Sequence, residues 1–298
     1  MPVMPTVRAN GIELFYDTRG DDDGVPLVLV NGLGSQSTKW DAELLDAFVD
    51  RGFRVITFDN RDVGLSTWID SPGLEIGDAV AAAMQGGKVD APYRLSDMAA
   101  DVVGLLDALG IDAAHVAGAS MGGMIVQTLA IEHPERVLSL TSIMSTTGER
   151  TVGAPTGEAA AVLVRPAAKS REEAIANYVE SQRVIGSPDV YDDDELRRQG
   201  AAAYDRAFNP IGVGRQLIAV MASGSRAEGL RQLDVPTLVI HGAIDPLVGI
   251  SGGQRTAELV PGATFVEIEG MAHDLPPHAW ARVVDEITRH AAAATATA

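Results

Sequence analysis

The strongest constraint on this chain is an alternation in its apolar pattern. From Val25 onward, short apolar runs ("VPLVLV", "FRVITF", "AAHVAGA", "RVLSLTSI", "VPTLVI", "ATFVEI") are separated by stretches whose apolar residues recur at helical spacing. A run that is apolar on both faces must be covered on both faces, and strands joined through helices pair in parallel. The pattern therefore specifies a mostly parallel central sheet with helices on both faces. Ahead of it, "TVRA" and "IELFYDTR" flank Asn10-Gly11, a two-residue hairpin signal, so the chain opens antiparallel. Helices are expected over Trp40 to Val49, over "DMAADVVGLLDAL" with Ser96 as its cap and Gly110 as its stop, and over "MGGMIVQTLAIEH" up to Pro134. Further helices are expected near Gln254 to Val260 and from about Pro277 to His290, with the closing "AAAATATA" read as a frayed end.

From about Thr146 to Arg226 no strand-like run occurs. "SREEAIANYVESQ" carries a capping box from Ser170 to Glu173, and "DDDELRRQGAAAYDRAF" reads as a second helix ended by Asn209-Pro210. The economical reading is a core domain of residues 1–145 and 227–298, with a helical cap, 146–226, inserted after the sixth strand. Such a segment leaves one parallel strand and returns before the next, which places it over the carboxyl edge of the sheet. A chain of 298 residues, 46% hydrophobic and 21% charged, is long enough to bury one large core and an insertion. Its net charge of -18 argues against nucleic acid and anionic membrane as partners. It has no cysteine, which excludes disulfides, thiolate catalysis and Cys-ligated metal. No stretch approaches the roughly 18 apolar residues of a membrane span, and "MPVMPTVRANG" lacks a basic region followed by an apolar run, so a soluble, cytoplasmic protein is expected.

One pentapeptide stands out, "GASMG" at Gly118 to Gly122. Small residues there let a strand turn abruptly into a helix and leave the Ser120 hydroxyl exposed in a strained conformation, although a plain turn closed by a capping serine reads the same. Context separates the two readings, because the chain order for a serine nucleophile of this kind is serine, acid, histidine. Asp245 lies just beyond "TLVIHG" and His273 just beyond "FVEIEGMA", both in loops at the carboxyl ends of strands. His115, His133, His241, His278 and His290 sit within or at the ends of strands and helices, where a histidine is usually structural. Asp234 precedes its strand and so falls at the wrong end of the sheet, and Asp274 is too close to His273 in sequence to face its ring. A glycine fingerprint at Gly32, Gly34 and Asp59 imitates a dinucleotide site, but Ser37 replaces the third glycine and two strands precede it.

Taken together, "NGLG", "FDNRDVGLS", "GASMGGMIVQ", "HGAIDPLV" and "GMAH" resemble, in order and over nearly the whole chain, an α/β-hydrolase with a cap. "FDNRDVGLST" and "PERVLSLTSIMSTTG" are most similar to the aclacinomycin methylesterase-like branch of esterases. Two positions depart from the family pattern: Asn31 stands where His-Gly is common, and Asp62 and Val63 replace a glycine-led turn before Gly64. The resemblance implies an ester hydrolase with Ser120 as nucleophile, His273 as base, Asp245 as its orienting acid, and the N–H groups of Leu33 and Met121 as oxyanion donors. It implies neither cofactor nor metal, and a small-molecule ester as partner. Met144 and Val248 are expected on the substrate side, Met121 and Met271 near the same edge, and Met124 in the core. Stabilising the core, or a homodimer contact, is the alternative use of the inserted segment. Lactone hydrolysis, carbon-carbon bond hydrolysis and perhydrolysis use the same three residues, and a non-catalytic binding protein on this fold is the reading from another class.

Overall fold

A computed structural model describes residues 5–85, 87, 90–188 and 190–297. The hairpin of β1 (Thr6–Ala9) and β2 (Ile12–Arg19) turns through Asn10 and Gly11, both at positive φ, the geometry for which Asn-Gly is suited. There follow β3 (Val25–Val30), α1 (Ala42–Val49), β4 (Phe53–Phe58), α2 (Ile76–Met84), α3 (Leu95–Ala108), β5 (Ala114–Ala119), α4 (Met121–Glu132) and β6 (Val137–Ile143). Helices alone then occupy the chain: α5 (Gly157–Leu163), α6 (Arg171–Ile185), α7 (Asp193–Arg206), α8 (Pro210–Ser223) and α9 (Ala227–Arg231). The alternation resumes with β7 (Thr237–Gly242), α10 (Ser251–Leu259), β8 (Thr264–Ile268) and α11 (Pro277–Thr297).

The eight strands form one sheet in the order β1-β2-β4-β3-β5-β6-β7-β8, antiparallel at β1-β2-β4 and parallel from β4 to β8. Alternate residues of β3 divide between two core layers. Val28 and Val30 join Met98, Leu105, Ile125 and Leu129 of α3 and α4, while Leu27 and Leu29 join Leu44 and Phe48 of α1 and Val283 and Ile287 of α11. All are nearly or fully buried, so the two-sided apolar run is explained by cover on both faces.

Several local readings need correction. Ser96 does not cap α3: the helix begins at Leu95, Asp97 accepts the Arg94 N–H at 2.8 Å, and Ser223 of α8 accepts the Leu95 N–H at 2.9 Å. The decisive cap comes from a helix more than a hundred residues away. In the capping box at Ser170, the serine accepts the Glu173 N–H, but Glu173 reaches back to the N–H of Lys169 instead of that of Ser170. Asn209-Pro210 lies just beyond the end of α7, which stops at Arg206. It starts α8, Asn209 accepting the Gly212 N–H at 3.1 Å and Pro210 taking the first helical position, where its missing N–H costs no bond. The "AAAATATA" tail is helical through Thr297, with Ala291 and Ala294 buried; alanine favours helix, and two of them meet the core. Ala298 and the first four residues of "MPVMPTVRANG" lie outside the described residues. Helix α2 packs against α8, where a Cβ on Gly214 would sit 2.6 Å from Ile76. Among the described residues no helix is long and apolar enough to cross a membrane.

Candidate active site

Ser120 stands between β5 and α4 with φ 56° and ψ -119°, a conformation that L side chains rarely adopt. The sequence permits it because its neighbours in space have no side chains to collide. A Cβ on Gly118 would lie 2.1 Å from the Gly122 carbonyl oxygen, and one on Gly122 would lie 2.0 Å from that of Val30. The turn is held from outside as well: the Ser120 N–H donates to the Ile143 carbonyl at 2.9 Å, and the Ser145 hydroxyl donates to the Ser120 carbonyl at 2.8 Å. Such strain persists only where surrounding bonds over-determine it.

Two later loops bring side chains to this hydroxyl. His273 lies between β8 and α11, its Nε2 2.9 Å from Ser120 Oγ and its Nδ1 2.7 Å from Asp245 Oδ2. A carboxylate only accepts, so Nδ1 carries the hydrogen and Nε2 is left to accept from the serine. Asp245 lies beyond β7 and is buried, its Oδ1 accepting the N–H groups of Leu247 at 2.8 Å and Val248 at 2.9 Å. His241 stands 3.6 Å from the same carboxylate but donates from Nε2 to the Val248 carbonyl at 2.7 Å, and burial holds its pKa below the ordinary value. It thereby braces the loop that holds Asp245. Asp274 turns away from the ring toward Ser187.

Leu33 follows β3 and Met121 begins α4, both beside Ser120; a Cβ on the intervening Gly32 would lie 3.1 Å from the Ser120 Cβ. Among the described residues no acceptor takes either N–H. The loop that presents Leu33 is tied on all sides. Asn31 donates to the Gln36 carbonyl at 3.1 Å, Asn60 donates to that of Asn31 at 3.0 Å, and the Gly34 N–H donates to Gln216 of α8 at 2.8 Å. Asn31 thus braces this loop from within. The second departure, Asp62, has φ 72°, the glycine-like conformation, and its carboxylate accepts from Arg215 twice, from Tyr93 and from the Ile69 N–H. Asp59 is likewise occupied, by Arg206 and by the N–H groups of Ser37 and Leu65, which leaves no ribose acceptor where the dinucleotide imitation would need one.

The helices between β6 and β7 reach this edge at several points. Gln36 donates to the carbonyls of Ala203 and Ala207, Arg206 and Arg215 form the two ion pairs just described, and Val213 packs 3.1 Å from where a Gly34 Cβ would be. Met144 is buried against the α1 and α11 layer at φ 42°, and Val248 is buried with its main chain bonded to Asp245 and His241. Met124 lies in the layer with α3, Met271 in the opposite one. Among the described residues no cluster of three His, Asp or Glu is arranged to hold a metal ion. Sequence reasoning missed Ser145, Ser187 and Gln216, whose partners lie 25, 87 and 182 residues away.

Comparison with known proteins bears on the fold. A model of the family described as alpha/beta hydrolase fold matches residues 25–276. Rhodomycin D methylesterase DnrP of Streptomyces peucetius is 30% identical over 317 aligned residues, covering 98% of this chain and 100% of that protein. The 3-oxoadipate enol-lactonase 2 of Acinetobacter baylyi is 27% identical, over 90% of this chain and 91% of its own. Among solved structures, a meta-cleavage product hydrolase from Pseudomonas fluorescens IP01 superposes with a TM-score of 0.75 at 22% identity, covering 96% of each chain.

Proposed function

This chain belongs to the alpha/beta hydrolase fold family, and from that premise we propose that it hydrolyses carboxylic esters through an acyl-enzyme on Ser120. The observation that carries the reading is the unbroken row from the Ser120 hydroxyl through His273 to Asp245. A serine hydroxyl is a weak nucleophile until a base takes its proton as the new bond forms. His273 Nε2 accepts that proton while Oγ bonds to the ester carbonyl carbon, and Asp245 holds the ring and offsets its new charge. The electron pair of the carbonyl moves onto its oxygen, where the N–H groups of Leu33 and Met121 meet it. As the tetrahedral adduct collapses, the carbon-oxygen bond to the alcohol breaks and His273 returns its proton to the departing alkoxide. Water then repeats the sequence and releases the acid. Removal of a single oxyanion donor typically costs about 2.7 to 4 kcal/mol of transition-state stabilisation.

The substrate is read from what lies over the site. Helix α8 stands above the Leu33-Gly34 loop through Val213 and Gln216, so the variable part of the ester lies against the inserted helices while the reacting carbonyl lies below them. A methylesterase similar over 98% of this chain supports a methyl ester, with its small alkoxy leaving group, as the substrate class. In the test, wild type is labelled covalently by a fluorophosphonate and turns over a panel of methyl esters, Ser120→Ala does neither, and Asp245→Asn loses about four orders of magnitude in kcat. Undiminished turnover by Ser120→Ala overturns the reading.

A further inference from the structure

The backbone that carries His273 is bonded to the inserted helices as well as to the core. The loop after β7 meets this one at Met271, whose carbonyl accepts the Ile244 N–H at 3.2 Å. The next two N–H groups turn the other way, to the end of α6. His273 N–H donates to the Ile185 carbonyl at 2.9 Å, and Ala272 N–H donates to Ser187 Oγ at 2.9 Å. Ser187 then closes the contact from its own side. Its hydroxyl donates to Asp274 Oδ1 at 2.5 Å, and its N–H donates to the same oxygen at 3.1 Å. Residues 185–187 and 272–274 are thus stitched by four hydrogen bonds with the base at their centre.

Asp274 is a costly group to place there. It is 7% exposed, and among the described residues its other oxygen, Oδ2, has no hydrogen-bond partner. Burying a carboxylate costs free energy unless hydrogen bonds or an opposite charge offset it, and among the described residues the bonds to Ser187 are those that Asp274 has. A hydroxyl that donates to a carboxylate also becomes a better acceptor for the Ala272 N–H. The bond chain therefore fixes the height of the loop on which His273 stands.

We propose that Ser187 and Asp274 are positioning residues for His273, so that the end of α6 sets the distance from Nε2 to Ser120 and couples the inserted helices to the base. This rests on the proposed serine mechanism and adds to it. A displacement of about 1 Å in a reacting group costs on the order of 100-fold in rate, so a loosened loop lowers the chemical step more than it lowers binding.

The experiment measures kcat and KM for p-nitrophenyl acetate, the rate of inactivation by a fluorophosphonate, and melting temperature, in wild type, Ser187→Ala, Asp274→Ala and Asp274→Asn. The expected result is a fall of about 10- to 100-fold in kcat and in inactivation rate for both alanine variants, with KM within about threefold. Asp274→Asn keeps the accepting Oδ1 and recovers most of the rate, an outcome a purely structural role does not require. If Ser187→Ala does not fold, the Asp274 pair carries the same test. Alanine variants that melt lower yet react at wild-type rates overturn the positioning role while leaving the serine mechanism standing. A wild type whose labelling does not depend on Ser120 overturns both.

Discussion

His115 shows how one buried group writes a pH dependence into this protein. It lies on β5, 1% exposed, with Nδ1 2.8 Å from Ser139 Oγ and, among the described residues, no partner for Nε2. Burial, and then the charge of His290, push its pKa down to about 4. The folded protein keeps it neutral, whereas the unfolded chain protonates it near its ordinary value. Its contribution is therefore fully present above about pH 6.5 and is lost as the pH falls toward 4, amounting to about 3 kcal/mol over that window. In urea unfolding at pH 7 and pH 4.5, His115→Asn is expected to lose about 2 kcal/mol less than wild type between the two. Equal losses would place the acid sensitivity elsewhere. The same scale shows what could be read in advance. Ser120, Asp245 and His273 each follow an apolar run that ends a strand, so position at the strand ends, taken with chain order, marked them as candidates. Ser187 and Gln216 carry no such mark, and Ser145, which shares it by following β6, offers only a hydroxyl whose role comes from a partner the fold brings near.

At the level of elements, the loop after β4 is clamped to α7 and α8 by two ion pairs, half-buried Arg206 with buried Asp59 at 2.7 Å and Arg215 with Asp62, both buried, at 2.6 Å. Asp62 is fully buried in a left-handed conformation, so its carboxylate depends on Arg215, Tyr93 and Ile69 to offset both desolvation and strain. Arg215→Met leaves that charge unpaired and is expected to cost about 3 to 5 kcal/mol in chemical unfolding. Adding Asp62→Gly removes the charge and suits the backbone, so the double variant is expected to be more stable than the single one. If the two are equally unstable, the ion pair is not what holds this loop. Strand positions were legible here because two-sided burial writes a continuous apolar run, as in β3 and β7. Helix boundaries in the insertion were less so: α8 begins where its sequence suggested an end, and α3 is capped by Ser223, which no window around Ser96 contains.

For the whole molecule, β6 and β7 are hydrogen-bonded neighbours, yet all the helices from α5 to α9 lie between them in the chain. That separation has a consequence during synthesis. A ribosome adding roughly 5 to 20 residues per second needs on the order of 5 to 20 s to pass the roughly ninety residues that divide the two strands. Through that interval β6 is an edge strand, carrying Val137, Leu140 and Ile143 that the finished fold buries, with a row of backbone groups awaiting β7. An exposed apolar edge of this kind is a template for pairing with another chain. Nascent chains released near residue 226 are therefore expected to aggregate or to be held by chaperones. Chains released after β8 has emerged are expected to stay dispersed, a contrast read by sedimenting truncated translation products. Equal sedimentation of the two would mean that the inserted helices shield the waiting edge until its partner arrives.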